Sequence, residues 1–179
     1  MVGGRGLLAV VLILGLAAGL YVALRGRGAP SARIELSSPA FEDREVIPAK
    51  YTCDSEDVPP PLEWRGLPEG TVPLAMIAFD PDAQGGEFTH WLIHGIPADV
   101  RSLPKGVPCL GVQGRNDFGE IGYGGPCPPS GPAHRHAFRL LALDADLDLP
   151  TGAGRAGLEE ALEGHVLGMG ELVGLYSRH

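Results

Sequence analysis

Eight consecutive residues with no charge or strongly polar side chain, Val72 to Phe79 (VPLAMIAF), stop abruptly at Asp80-Pro81-Asp82. A half-exposed strand would alternate apolar with polar residues, so a continuous run of this length reads as a strand covered on both faces. The fold must therefore supply a layer on each side of it. Turn formers limit what those layers are: 27 Gly and 17 Pro are scattered through 179 residues without a G-X-Y period. That excludes collagen, and an apolar content of 44% argues against disorder. A mainly β, turn-rich fold of short elements is expected, not a helical bundle.

The chain is not uniform. Leu7 to Leu24 (LLAVVLILGLAAGLYVAL) is a stretch of 18 residues with no charge or strongly polar side chain, long enough as a helix for about 27 Å of hydrocarbon. Arg5 precedes it, and Arg25 and Arg27 follow. The expectation is an uncleaved membrane anchor over residues 1–30; the alternative is a signal segment cleaved after small residues such as Ala17-Ala18-Gly19. Either way, residues 31–179 are expected outside the cytoplasm, membrane-anchored or released as a secreted or periplasmic domain.

That region forms one domain, since a chain of about 150 residues buries roughly 68–70% of its unfolded surface. It carries 11 Lys and Arg against 22 Asp and Glu, a formal charge of −11. Nucleic acid is not an expected partner, because phosphate-backbone binding needs clustered cations. Cys53, Cys109 and Cys127 allow one disulfide at most, and their spacings match no zinc ribbon. A Cys53–Cys127 bridge and three buried free thiols both remain open.

Strands are expected at Arg33–Ser37, Val72–Phe79, Phe88–Ile96, His136–Leu143 and Glu171–Tyr176. The proline-dense stretch from Pro48 to Pro68 is expected to be loop or edge. Gly157–His165 has helical spacing, with Leu158, Ala161, Leu162 and His165 on one face, which makes His165 a core-packing residue. Residues 115–131 have too little periodicity for regular structure and read as a long ordered loop, often a functional feature.

Chemistry concentrates in two places. One is Asp80-Pro81-Asp82 with Phe88-Thr89-His90-Trp91; the other is Gly122-Tyr123-Gly124-Gly125-Pro126-Cys127-Pro128-Pro129 with His134-Arg135-His136. Strand alternation places His90, Leu92 and His94 on one face, and His134 and His136 on one face. The glycines are expected to leave backbone N–H groups free to form an anion-binding nest beside imidazole donors.

These motifs, with Gly114-x-Asn116-Asp117-Phe118-Gly119, Ile47-Pro48-Ala49-Lys50-Tyr51-Thr52-Cys53-Asp54, Pro60-Pro61-Leu62-x-Trp64, Ala142-Leu143-Asp144 and Gly164-His165, stand in one order along residues 34–178. In that order the chain resembles the phosphatidylethanolamine-binding protein family, most closely its prokaryotic branch named for Raf kinase inhibitor-like proteins. The resemblance implies a two-sheet, Greek-key, β-sandwich-like fold with one or two short helices and a small anion pocket at one end. It implies a pocket containing Asp80, His90, the Gly125-Pro126 backbone and His134, with Asp82 beside it. His136 stands where the family typically has tyrosine, His94 where it often has tyrosine or a similar residue, and Gln84 where proline is common. An imidazole N–H at 136 can replace the missing phenol donor. His90, His134, His136 and Asp80 also match zinc's preference for N and O donors, but no His-Glu-x-x-His motif is present and the resemblance implies neither a metal nor another cofactor.

The expected function is non-enzymatic binding of a phosphate-containing small molecule or phospholipid head group, next to a membrane reached through Leu7–Leu24. The expected ligand-binding set is Asp80, Asp82, His90, Gly125, Pro126, His134 and His136, with no catalytic residue. An ionised Asp80 would repel an anion, so His90 or His134 must be partly protonated, or Asp80 must share a proton with the ligand. Two alternatives remain. One is a protein-interaction module inhibiting a kinase or protease, with residues 57–62 or 101–109 as bait. The other is a hydrolase using Asp80 with His90 or His134.

Overall fold

The computed structural model describes residues 32–106 and 110–178. The Leu7–Leu24 segment, Cys109, His179 and the end of the 101–109 stretch lie outside them. Among the described residues no helix is long and apolar enough to cross a membrane.

The apolar run becomes β4 (Pro73–Asp80), and all eight of its residues are buried. Its two faces feed two separate cores, as the lack of alternation requires. Leu74, Met76 and Ala78 join one cluster, and Ala75, Ile77 and Phe79 join the other. Strands β5 (Phe88–Pro97) and β8 (His134–Leu143) flank β4, both antiparallel to it. With β1 (Ala32–Arg33), β7 (Val112–Gln113) and β9 (Val166–Tyr176) they form a six-stranded sheet in the order β1-β9-β8-β4-β5-β7.

A second sheet holds β2 (Glu35–Ser37), β3 (Leu62–Arg65) and β6 (Ser102–Leu103), in the order β2-β3-β6. Leu62 and Trp64 of β3 and Leu103 of β6 pack with Met76, Trp91, Phe138 and Leu140 of the large sheet in one continuous cluster. Full burial of each such side chain contributes about 1.5–3 kcal/mol, so this inter-sheet layer dominates the fold's stability. The opposite face of the large sheet is covered by α1 (Arg155–Leu162), whose Leu158 and Leu162 pack on Ile77, Phe79 and Leu92. The two layers demanded by β4 are thus a small sheet and a helix.

Three expectations change, and one that was open is settled. The strand expected at Arg33–Ser37 is two strands in different sheets. The chain crosses between them at Ile34, whose N–H donates to the Met169 carbonyl (2.9 Å) while its side chain enters the inter-sheet core. The Pro48–Pro68 stretch is not all loop or edge, because it contains β3, the middle strand of the small sheet. Its prolines fall outside the strand, so no ladder donor is lost. The helix spans Arg155–Leu162 and stops before Gly164 (φ +79°), so His165 leaves the apolar face. The His165 side chain is 44% exposed, with Nδ1 donating to Asp144 (2.8 Å), and it does not pack in the core. Finally, Cys53 and Cys127 are joined as a disulfide, with Cα atoms 5.4 Å apart.

Candidate functional site

Asp80 ends β4, and His134 begins β8. Alternation from Leu74, Met76 and Ala78 carries Asp80 onto the inter-sheet face, and alternation from Leu140 and Phe138 carries His136 and His134 onto the same face. Polar chemistry thus continues the apolar core outward to one end of the sheets.

His90 arrives by a different device. Ala78 pairs with Trp91 and Phe79 with Thr89, so two consecutive residues of β4 oppose three of β5. His90 is the extra residue of this β-bulge, and bulges re-aim side chains next to sites. Its ring therefore lies against His136, with centroids 5.1 Å apart. Leu92, expected on the same face as His90, packs instead in the cluster beneath α1. The shared face expected for His90, Leu92 and His94 does not hold, because a bulge breaks the two-residue period.

Asp80 (4% exposed), His90 (4%) and His136 (2%) are buried. Asp80 Oδ2 accepts a hydrogen bond from His134 Nδ1 at 2.7 Å, and Asp80 Oδ1 accepts from the Asp82 backbone N–H at 2.7 Å. His90 Nδ1 lies 2.8 Å from the Gly124 carbonyl. A carbonyl only accepts, so Nδ1 carries the proton and neutral His90 presents a lone pair at Nε2. His136 Nε2 stands 3.8 Å from Asp80 Oδ2, too far for a hydrogen bond. Neither buried ring nitrogen of His136 has a partner among the described residues.

Burial decides the charge states of these rings. Desolvation pushes His90 below the usual histidine range despite the Gly124 carbonyl and the Asp80 carboxylate. Desolvation, then the nearby His90, pushes His136 down to about 3, so it is neutral at physiological pH.

A cavity of about 280 Å³ opens here, lined by Asp80, Ala83, Gln84, Phe88, His90, Phe118, Cys127, Pro128, Pro129 and His134. Phe88 and Phe118 meet edge-to-face at 4.7 Å to form an apolar wall. Phe118 comes from the long 115–131 loop, which is pinned rather than loose. Thr89 N–H donates to Asp117 Oδ2 (2.6 Å), and the Asn116 side chain bridges Gly122 O (3.1 Å) and Glu120 N–H (3.0 Å).

Asp80, His90 and His134 of the expected ligand set line this cavity, and four others do not. His136 lies behind His90 and Asp80. Asp82 turns to the surface, where Arg135 grips it through Nε (2.9 Å), Nη2 (2.6 Å) and its backbone N–H (2.9 Å), holding the carboxyl at about 2. An ion pair this exposed contributes about 0–1 kcal/mol and acts chiefly as a clip between β4 and β8. Gly125 and Pro126 are also off the cavity.

The expected nest does not form either. Gly122, Gly124 and Gly125 N–H groups donate to Gly114 O (3.0 Å), His90 O (2.9 Å) and Asp57 Oδ1 (2.7 Å). The glycines serve close approach instead: a Cβ on Gly124 would meet the Phe118 ring at 2.6 Å. The wall expected from Gly125-Pro126 is supplied by Cys127, Pro128 and Pro129, fixed through Cys127's bridge to Cys53. Phe118, Pro128 and Pro129 stood within the recognised motifs but carried no polar signal. Asp57, which occupies the Gly125 N–H, carried no sign of that contact in the sequence.

A family model described as phosphatidylethanolamine-binding protein matches residues 37–177. A protein of Methanothermobacter thermautotrophicus named UPF0098 protein is 51% identical over 151 residues, covering 81% of this chain and 99% of the relative. The crystal structure of a phosphatidylethanolamine-binding protein homologue from Chlamydia trachomatis superposes with a TM-score of 0.78 at 36% identity, covering 82% of this chain and 99% of that one. YbcL of Escherichia coli, described as a member of the mammalian PEBP family, gives 0.77 at 30% identity, covering 83% of this chain and all of that one.

Proposed function

We propose, for a chain that belongs to the phosphatidylethanolamine-binding protein family, that the cavity receives a phosphate-bearing small molecule or lipid head group without turning it over. The observation carrying this reading is the convergence of Asp80, His90 and His134 in one small cavity with otherwise largely apolar walls. At about 280 Å³ it sits at the lower end of ligand-site sizes, room for a head group and not for acyl chains.

The tautomers specify how an anion would be held. His134 Nδ1 faces the Asp80 carboxylate and His90 Nδ1 faces a carbonyl, so each neutral ring turns a lone pair outward at Nε2. A fully ionised phosphate finds no donor on either neutral ring. A protonated phosphate oxygen supplies its own proton to one ring, and a protonated imidazole supplies one from the protein. Both routes need a bound proton, so binding is expected to weaken as pH rises.

Leu7–Leu24, if it spans a bilayer, would hold this cavity near lipid head groups, with the domain outside the cytoplasm. The Cys53–Cys127 bridge supports that placement, since disulfides persist mainly in oxidising compartments. Cys127 on the cavity wall is bonded to Cys53, so it offers the hydrolase alternative no thiol nucleophile. The bait-loop alternative gains nothing from residues 57–62, where Pro60 is buried and the Pro59 and Pro61 carbonyls accept hydrogen bonds from Gly106 and Ser38.

Calorimetric titration of the full chain with inorganic phosphate tests the proposal. His134→Ala is expected to weaken binding about tenfold or more, the loss of one charge-assisted hydrogen bond. Asp82→Asn, off the cavity, is expected to leave affinity unchanged. Equal affinity in His134→Ala and the parent would overturn the reading.

A further inference from the structure

We infer that Asp80, His90 and His136 form a binding site for a divalent transition metal, best suited to Zn²⁺, at the floor of the cavity. One ligating atom from each of the three lies within 4.8 Å of the others, and all three residues are buried. Ligands around a tetrahedral zinc, at about 2.0–2.2 Å from the ion, stand about 3.3–3.5 Å from one another. His136 Nε2 and Asp80 Oδ2 are already 3.8 Å apart, so modest side-chain rotation completes the geometry. Two imidazoles and one carboxylate are a donor set zinc uses where the fourth coordination position stays open. Here that position faces the cavity, which Asp80 and His90 line.

Three features support a ligating role over simple packing. Both ring nitrogens of His136 are buried without a hydrogen-bond partner among the described residues. Such groups carry an uncompensated desolvation cost that coordination would remove. The outer contacts that orient metal ligands are also in place. His90 donates its Nδ1 proton to the Gly124 carbonyl, which leaves Nε2 to coordinate. The Asp80 carboxylate is held by the His134 ring and by the Asp82 backbone N–H. Finally, the cavity supplies an entry path, a requirement for any metal site. The inference does not depend on phosphate binding.

The test is titration of the EDTA-treated full chain with ZnCl₂ by calorimetry, with bound metal counted by elemental analysis. One zinc per chain is expected. His136→Tyr and His136→Phe are each expected to weaken it by at least about 100-fold, and His134→Ala by about 10–100-fold through loss of carboxylate positioning. His165→Ala, a histidine outside the site, is expected to bind as the parent does. Co²⁺ titration of the unaltered chain gives a readout that needs no folded variant, and the intense visible absorption of tetrahedral Co²⁺ is expected. Absence of zinc binding, undiminished zinc in both position-136 variants, or a weak octahedral Co²⁺ spectrum would each overturn the inference.

Discussion

At position 125 a methyl group would meet Asp57 Oδ1 at 2.5 Å and the Tyr51 carbonyl at 2.6 Å, so glycine is required there for packing and not for anion contact. Single residues in this molecule are often legible in kind but not in use. His94 is another: alternation set it on one face with His90, yet the ring is buried with Nε2 unpartnered, and desolvation alone holds it below the usual histidine range. The consequence for stability has a definite sign. Above pH about 6.5 the ring is neutral in both folded and unfolded chains, and there is no effect. Below that value the unfolded chain takes up a proton that the folded chain refuses, so stability falls with falling pH until the folded ring also titrates. His90 and His136, lowered for the same reason, act in the same direction. Each such group steepens the acid loss by up to about 1.4 kcal/mol per pH unit. Urea denaturation across this window should therefore show a shallower acid dependence in His94→Phe than in the parent. Parallel curves for the two proteins would refute the assignment.

Among the elements, β4 was readable because full burial on two faces leaves no alternation to interpret. β8 begins two residues before the expected His136, because His134 and Arg135 pair with Tyr176 and Leu175 of β9. The change of sheet at Ile34 and the bulge at His90 were invisible, since both depend on partners distant in sequence. The disulfide belongs to this scale as well. It ties the cavity wall Cys127–Pro129 to the turn after Tyr51 across a 74-residue separation. Closing a loop of that length stabilises the folded chain by about 4 kcal/mol in the chain-entropy account. The double replacement Cys53→Ala, Cys127→Ala should lower unfolding free energy by about 2–4 kcal/mol and weaken phosphate binding. An unfolding midpoint matching the parent's would show that the bridge does not constrain this region.

In the molecule as a whole, the site lies where the inter-sheet core runs out at one end, with buried polar groups continuing rows of apolar ones. The mainly β, two-sheet fold was legible from strand pattern and family motifs together, and the residues that line the cavity only in part. Sequence pointed to Asp80, His90 and His134 because they carry chemistry, and it missed Phe118, Pro128 and Pro129 because walls are shaped by packing. Charge sharpens the functional question, since an acidic domain accepts an anion only where protons or a cation offset its field. The proposed function requires that an anion enter at this cavity. The most direct test is a phosphate titration of the isotope-labelled full chain, followed by backbone amide shifts below neutral pH. Saturable shifts are expected to centre on Ala83, His90, Phe118, Cys127 and His134. Shifts centred instead on the groove of Ile34, Arg44 and Met169, or none at all, would contradict it.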